Sequence, residues 1–161
     1  MTRSTTPLSR ATAFVVVAGI CVAALGAWSV GRDAQASEDE PRRLVTIVAS
    51  GEPETQLMAM VLTMQSVRQG AEARILLCGP GARIAWKDAP ESATAPQKPR
   101  GMSPQGLMAK LAGMGVRTEV CAIHLPNADK TEADLIEGVG VARPPDMAAG
   151  IMAEDVRVLS F

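Results

Sequence analysis

Two cysteines and one histidine are the side chains best suited to chemistry in residues 37–161 of this 161-residue chain, and all three fall where strands are expected to end. Cys121 and His124 form a C-x-x-H pair at the point where an apolar strand gives way to Leu125-Pro126-Asn127. An imidazole so placed would favour the thiolate of Cys121, which is the reactive form. We take Cys121 and His124 as candidate catalytic residues. The competing assignment makes Cys121 a small buried hydrophobe and His124 a surface residue. That structural role suits Cys78 still better, since it follows Leu76-Leu77 and precedes Gly79-Pro80-Gly81.

Other chemistries find less support. His124 is the sole histidine, which excludes zinc sites that draw several His from one chain. Nine methionines invite a copper(I) reading, because thioethers suit that ion. However, Met58, Met60, Met64, Met108, Met147 and Met152 fall on predicted helices, where methionine is a flexible core filler. Gly138-Val139-Gly140 lacks the third glycine of a dinucleotide loop, and Gly79-Pro80-Gly81 lacks the Lys-Ser/Thr of a phosphate loop. Glu52 and Glu54 flank Pro53 at a predicted helix start, where carboxylates complement the helix dipole. We therefore assign no cofactor and no metal.

The elements that must position these residues alternate. A buried-strand run at residues 44–49 is closed by Ser50-Gly51-Glu52-Pro53, and a helix spans 54–69 with Gly70 as its C-terminal cap. A second strand covers 71–78. Residues 87–102 collect Pro90, Pro96 and Pro99 and read as a long loop. Ser103-Pro104 caps a helix through Leu107, Met108 and Leu111. A third strand runs from 116 to about 123, a short helical stretch covers 131–136, and a fourth strand covers 138–142. Pro144-Pro145 starts a last helix, and residues 156–161 form a fifth strand. Strand and helix alternation at this spacing predicts one α/β domain with a five-stranded, mostly parallel sheet covered by helices on both faces. Ligands of such sheets bind at the strand C-terminal ends, which selects the loops at 50–54, 78–81 and 121–127. If the first strand lies between the second and third, Cys78 and Cys121 sit on strands nearly 10 Å apart. That exceeds the Cα separation of a disulfide, so a redox pair is the lesser expectation.

The N-terminus carries a different signal. Arg3 and Arg10 precede an uncharged stretch from Ala11 to Gly31, and Ala34-Gln35-Ala36 offers a peptidase site before Ser37. Residues 1–36 are expected to be a signal peptide or, given a run long enough to span a bilayer, a retained membrane anchor. Residues 37–43 form a tether, and the domain at 44–161 is expected to work in the periplasm or elsewhere beyond the membrane. Removing Arg3, Arg10, Arg32 and Asp33 from the 16 basic and 17 acidic residues leaves the mature part at about −3. It has no basic stripe, and Trp86 and Phe161 are its only aromatics, so nucleic acid is not an expected partner.

Taken in order, Ser50-Gly51-Glu52-Pro53-Glu54, Gly79-Pro80-Gly81-Ala82, Ser103-Pro104-Gln105-Gly106-Leu107, Gly115-Val116, Glu119-Val120-Cys121 and the ending Val158-Leu159-Ser160-Phe161 resemble the DsrE/DsrF-like family of small sulfur-relay proteins. The resemblance spans nearly the whole mature domain. It implies a flavodoxin-like layering, a homotrimer or homohexamer, and a cysteine at the end of the third strand that accepts and passes on a persulfide. Cys121 holds that place. The following turn departs from the relay pattern, having His124-Leu125-Pro126-Asn127 where a basic, glycine-containing turn is usual. The expected function is sulfane-sulfur transfer or thiol redox chemistry through Cys121, with a sulfur-donor or acceptor protein as partner. A small-ligand or copper-binding module at the strand ends is the alternative.

Overall fold

The structure, a computed structural model, describes residues 42–161. The expected leader at 1–36 and most of the tether lie outside the described residues. Five strands, β1 (Arg43–Val48), β2 (Glu72–Leu77), β3 (Arg117–Cys121), β4 (Val139–Ala142) and β5 (Val156–Ser160), form one sheet in the order β4-β3-β2-β1-β5. Every neighbouring pair is parallel. The α/β single-domain fold is thus as expected, but β1 does not lie between β2 and β3.

Handedness explains the order and the layering together. Crossovers between parallel strands are right-handed, so successive strands added in one direction keep their connections on one face. The steps β1 to β2, β2 to β3 and β3 to β4 all run the same way. Helices α1 (Pro53–Arg68) and α3 (Pro104–Gly113) therefore cover one face, and among the described residues only the return from β4 to β5 sends a helix, α5 (Pro144–Ile151), over the other.

The α1 and α3 face holds the main core. Ala59, Met60, Thr63 and Met64 of α1 and Leu107, Met108 and Leu111 of α3 are buried against Leu44, Val48, Ile75, Leu77 and Val120. Thr46 of β1 and Thr63 share a buried hydroxyl contact of 2.8 Å, and Thr63 Oγ1 also reaches the Ala59 carbonyl. Pro53 occupies the first turn of α1, as its fixed φ allows, and Gly70 closes that helix at φ 87°. Ser103 Oγ accepts from the Gly106 N–H at the start of α3. Met60, Met64, Met108 and Met147 are buried as expected, whereas Met58 and Met152 face solvent, at 52% and 80% exposure.

Residues 87–102 are not the unpacked loop that their prolines suggest. They contain α2 (Glu91–Thr94), whose Ala93 is buried, and an antiparallel bridge between Gln97 and Met102. Ala93 anchors the segment with partly buried Ala89 and Met102, a spacing too irregular to register as a periodic pattern.

Gly81 marks the tightest backbone approach. A Cβ there would meet the Val48 carbonyl oxygen at 2.3 Å, because the 3-10 segment Gly79–Ala85 lies directly on the end of β1. The Gly81 N–H donates to the Ala49 carbonyl at 3.2 Å. Gly81→Ala should destabilise the domain by about 2 kcal/mol or more in urea unfolding, since backbone rather than a flexible side chain must yield. Gly113→Ala, in a helix with open space around it, should instead stabilise by about 0.5 kcal/mol. Equal effects at the two sites would contradict this packing.

Candidate functional site

The site begins with register. Leu76 pairs with Glu119 and Leu77 with Val120, so Cys78, just beyond β2, comes level with Cys121, the last residue of β3. Their Cα atoms are 5.3 Å apart and the two are joined as a disulfide. This corrects the expectation that the cysteines stand two strands apart. The nearly 10 Å separation applied to an order with β1 in the middle, and adjacent parallel strands lie roughly half that distance apart.

The cystine lies on the thinly covered face. Side chains alternate along a strand, so Arg74, Leu76 and Cys78 share one side of β2, and Arg117, Glu119 and Cys121 share one side of β3. Both cysteines are half-buried and pack against the second core, formed by Val45, Leu76, Ala142 and Met147. Below them Glu119, 4% exposed, accepts from Arg74 Nε at 2.6 Å on one oxygen and pairs with Arg117 at 2.8 Å through the other. A carboxylate in the middle of a buried strand is tolerated because both its oxygens meet guanidinium groups. Two residues after Cys121, Ile123 is 72% exposed.

The segments leaving the two cysteines are tied to one another independently of the disulfide. The Ile136 N–H donates to the Ala85 carbonyl and the Lys87 N–H to the Asp134 carbonyl, both at 2.9 Å, around an antiparallel bridge between Trp86 and Leu135. Gln105 of α3 donates to the carbonyls of Ile84 and Trp86, holding the indole in place. Lys130 sits 5.2 Å from the centre of the Trp86 ring and pairs with Asp88 at 2.6 Å. None of these contacts links neighbours in sequence, and Trp86, Gln105 and Lys130 carry no local motif that would single them out.

His124 opens a single-turn helix, α4 (His124–Asn127), and its ring stacks on Trp86 with centroids 5.7 Å apart and planes 17° from parallel. Its Nε2 is buried and has no hydrogen-bond partner among the described residues. Trp86 packs against the main core, whereas Cys121 packs against the second. The two predicted site residues thus contact different partners, and no hydrogen bond joins them among the described residues. Burial, with a smaller contribution from the positive charge of Arg83, holds the His124 pKa below its ordinary value. Glu52 precedes α1 as its N-cap without a side-chain capping bond, and Glu54 lies in the first turn. Among the described residues no group of three or more His, Cys, Asp or Glu side chains is placed to hold a metal ion. The arrangement is compatible with thiol redox chemistry: a sulfur–sulfur bond between segments that backbone hydrogen bonds also join.

Two measurements follow from this geometry. The disulfide closes a loop with a sequence separation of 43, which by chain entropy stabilises the domain by about 4 kcal/mol. Reduction should therefore lower the urea midpoint while leaving a cooperative transition; a reduced protein without a transition would contradict the role given to the interlocked segments. For His124 the unfolded chain binds a proton near pH 6.5 more readily than the folded one does. Stability should then fall as pH drops through that value, and His124→Gln should flatten this part of the pH profile.

No family model matches the chain, and no curated protein matches it either. Solved structures do. YchN from E. coli is similar over 76% of this chain and all of its own, with a TM-score of 0.60 and 18% identity. MTH1491, a protein of unknown function from Methanobacterium thermoautotrophicum, is similar over the same shares, with a TM-score of 0.55 and 17% identity. At such identities the likeness speaks for architecture, and the domain described above has a DsrE/YchN-like fold.

Proposed function

We propose that this domain carries out thiol–disulfide and sulfane-sulfur chemistry at Cys121, with Cys78 as the resolving thiol. The observation that carries the reading is the cystine itself: the two cysteines of residues 37–161 are joined at the ends of adjacent strands, half-buried, between segments that backbone hydrogen bonds also join. In the reduced form the Cys121 thiolate attacks the outer sulfur of a persulfide or polysulfide. The donor's sulfur–sulfur bond breaks, the donor leaves as a thiolate or shorter polysulfide, and Cys121 keeps a persulfide. An acceptor thiolate can then take the outer sulfur and leave Cys121 as a thiolate. Without an acceptor, the Cys78 thiolate attacks the inner sulfur, expels hydrosulfide and forms the cystine. Two electrons from an external thiol pair reopen it.

The location and assembly proposed with this chemistry rest on other grounds. The basic start, the uncharged stretch and Ala34-Gln35-Ala36 support work beyond the membrane, in a compartment where disulfides persist. Among the described residues no helix is long and apolar enough to cross a membrane. A homotrimer or homohexamer is proposed from the family resemblance, and exposed Ile123, Met152 and Val158 offer apolar surface for it.

Mass spectrometry after incubating the reduced protein with polysulfide tests the mechanism. Cys78→Ser should accumulate one added sulfur on Cys121, Cys121→Ser should acquire none, and the wild type should release hydrosulfide while forming the cystine. Absence of an adduct in Cys78→Ser together with absence of hydrosulfide from the wild type would sink the proposal.

A further inference from the structure

On the face away from the cystine, α1, α3 and the turn at 97–102 enclose a groove of about 530 Å³. Its apolar lining comes from Val61, Met64, Met102 and Leu107, and Arg68, Arg100 and Lys110 lie along it with no carboxylate among the lining residues. Among the described residues none of these three cations forms a salt bridge, although Arg43, Arg74, Arg117, Lys130 and Arg143 all do. The Gln97–Met102 bridge fixes the turn that presents Arg100, and a bond from the Gly101 N–H to the Gln97 carbonyl at 2.8 Å tightens it. A second recess of about 660 Å³ shares Val61, Arg100 and Met102 with the groove and continues along exposed Met58. Gln97, which lines that recess, has a buried side-chain nitrogen without a hydrogen-bond partner among the described residues.

The volume falls within the roughly 300–1,000 Å³ of small-molecule sites, which are likewise apolar with a few placed polar groups. We infer that the groove binds a small anionic amphiphile, an aliphatic carboxylate with its head among Arg68, Arg100 and Lys110 and its chain on Val61, Met64, Met102 and Leu107. Charge complementarity selects the head, since guanidinium groups bind carboxylates in a matched fork. The lining selects the chain, because its apolar part is aliphatic throughout and carries no aromatic side chain. The inference is independent of the thiol chemistry.

Calorimetric titration of the delipidated full chain with dodecanoate, below its micelle concentration, tests this. Saturable one-to-one binding is expected, with hexanoate and dodecanol each at least about tenfold weaker because one lacks chain and the other charge. Arg100→Glu combined with Lys110→Glu should weaken dodecanoate at least about tenfold. Both positions are solvent-exposed, and Arg100→Gln alone provides the same comparison, with a smaller loss, should the double variant melt early. Dodecanol binding as tightly as dodecanoate, undiminished affinity in the charge variants, or binding seen only with phosphatidylglycerol vesicles would overturn the inference.

Discussion

The direction in which strands are added governs this molecule. Three consecutive right-handed crossovers in one direction place β2 beside β3 and stack α1 and α3 on a single face. Among the described residues the same choice leaves the opposite face with only the eight-residue α5. Neighbouring strands in parallel register then bring Cys78 level with Cys121, and Arg74 within reach of Glu119, which Arg117 also meets from its own strand.

The two faces divide the work. Most of the fully buried side chains lie on the helical side, where Met60, Ile75, Leu77, Met108 and Leu111 form a core that does not include the cystine. The cystine borders a smaller cluster of four buried residues beside open surface. Domains of this size are stable by roughly 5–15 kcal/mol. Losing about 4 kcal/mol on reduction is compatible with a folded dithiol form, particularly with Trp86, Leu135 and Ile136 holding the two segments together. A sulfur pair that cycles needs that property, and a purely structural staple does not.

Much of the fold is legible in the sequence because apolar runs and their spacing are local. Residues 44–49 read as a buried strand, Gly70 as a cap, and Ser103-Pro104 as a helix start, all in agreement with the structure. Strand order is not local. Nothing in the spacing of Leu76, Leu77 and Cys78 says which neighbour they will have, and the separation argued for the cysteines failed at that step. The site divides the same way. Cys121 stands out by type and position, but its partner depends on topology, and the ring that meets His124 comes from Trp86, thirty-eight positions earlier. Glu119 looks like a misplaced charge until Arg74 and Arg117 arrive from long range and along the strand.

The thiol chemistry requires Cys78 and Cys121 to be reversibly paired within one chain. Peptide mass mapping of the protein, with thiols trapped by alkylation before and after mild reduction and reoxidation, tests that most directly. Reversible pairing should give a peptide linked through Cys78 and Cys121 that disappears on reduction and returns on reoxidation. Two free cysteines under oxidising conditions, or a link only between separate chains, would contradict it.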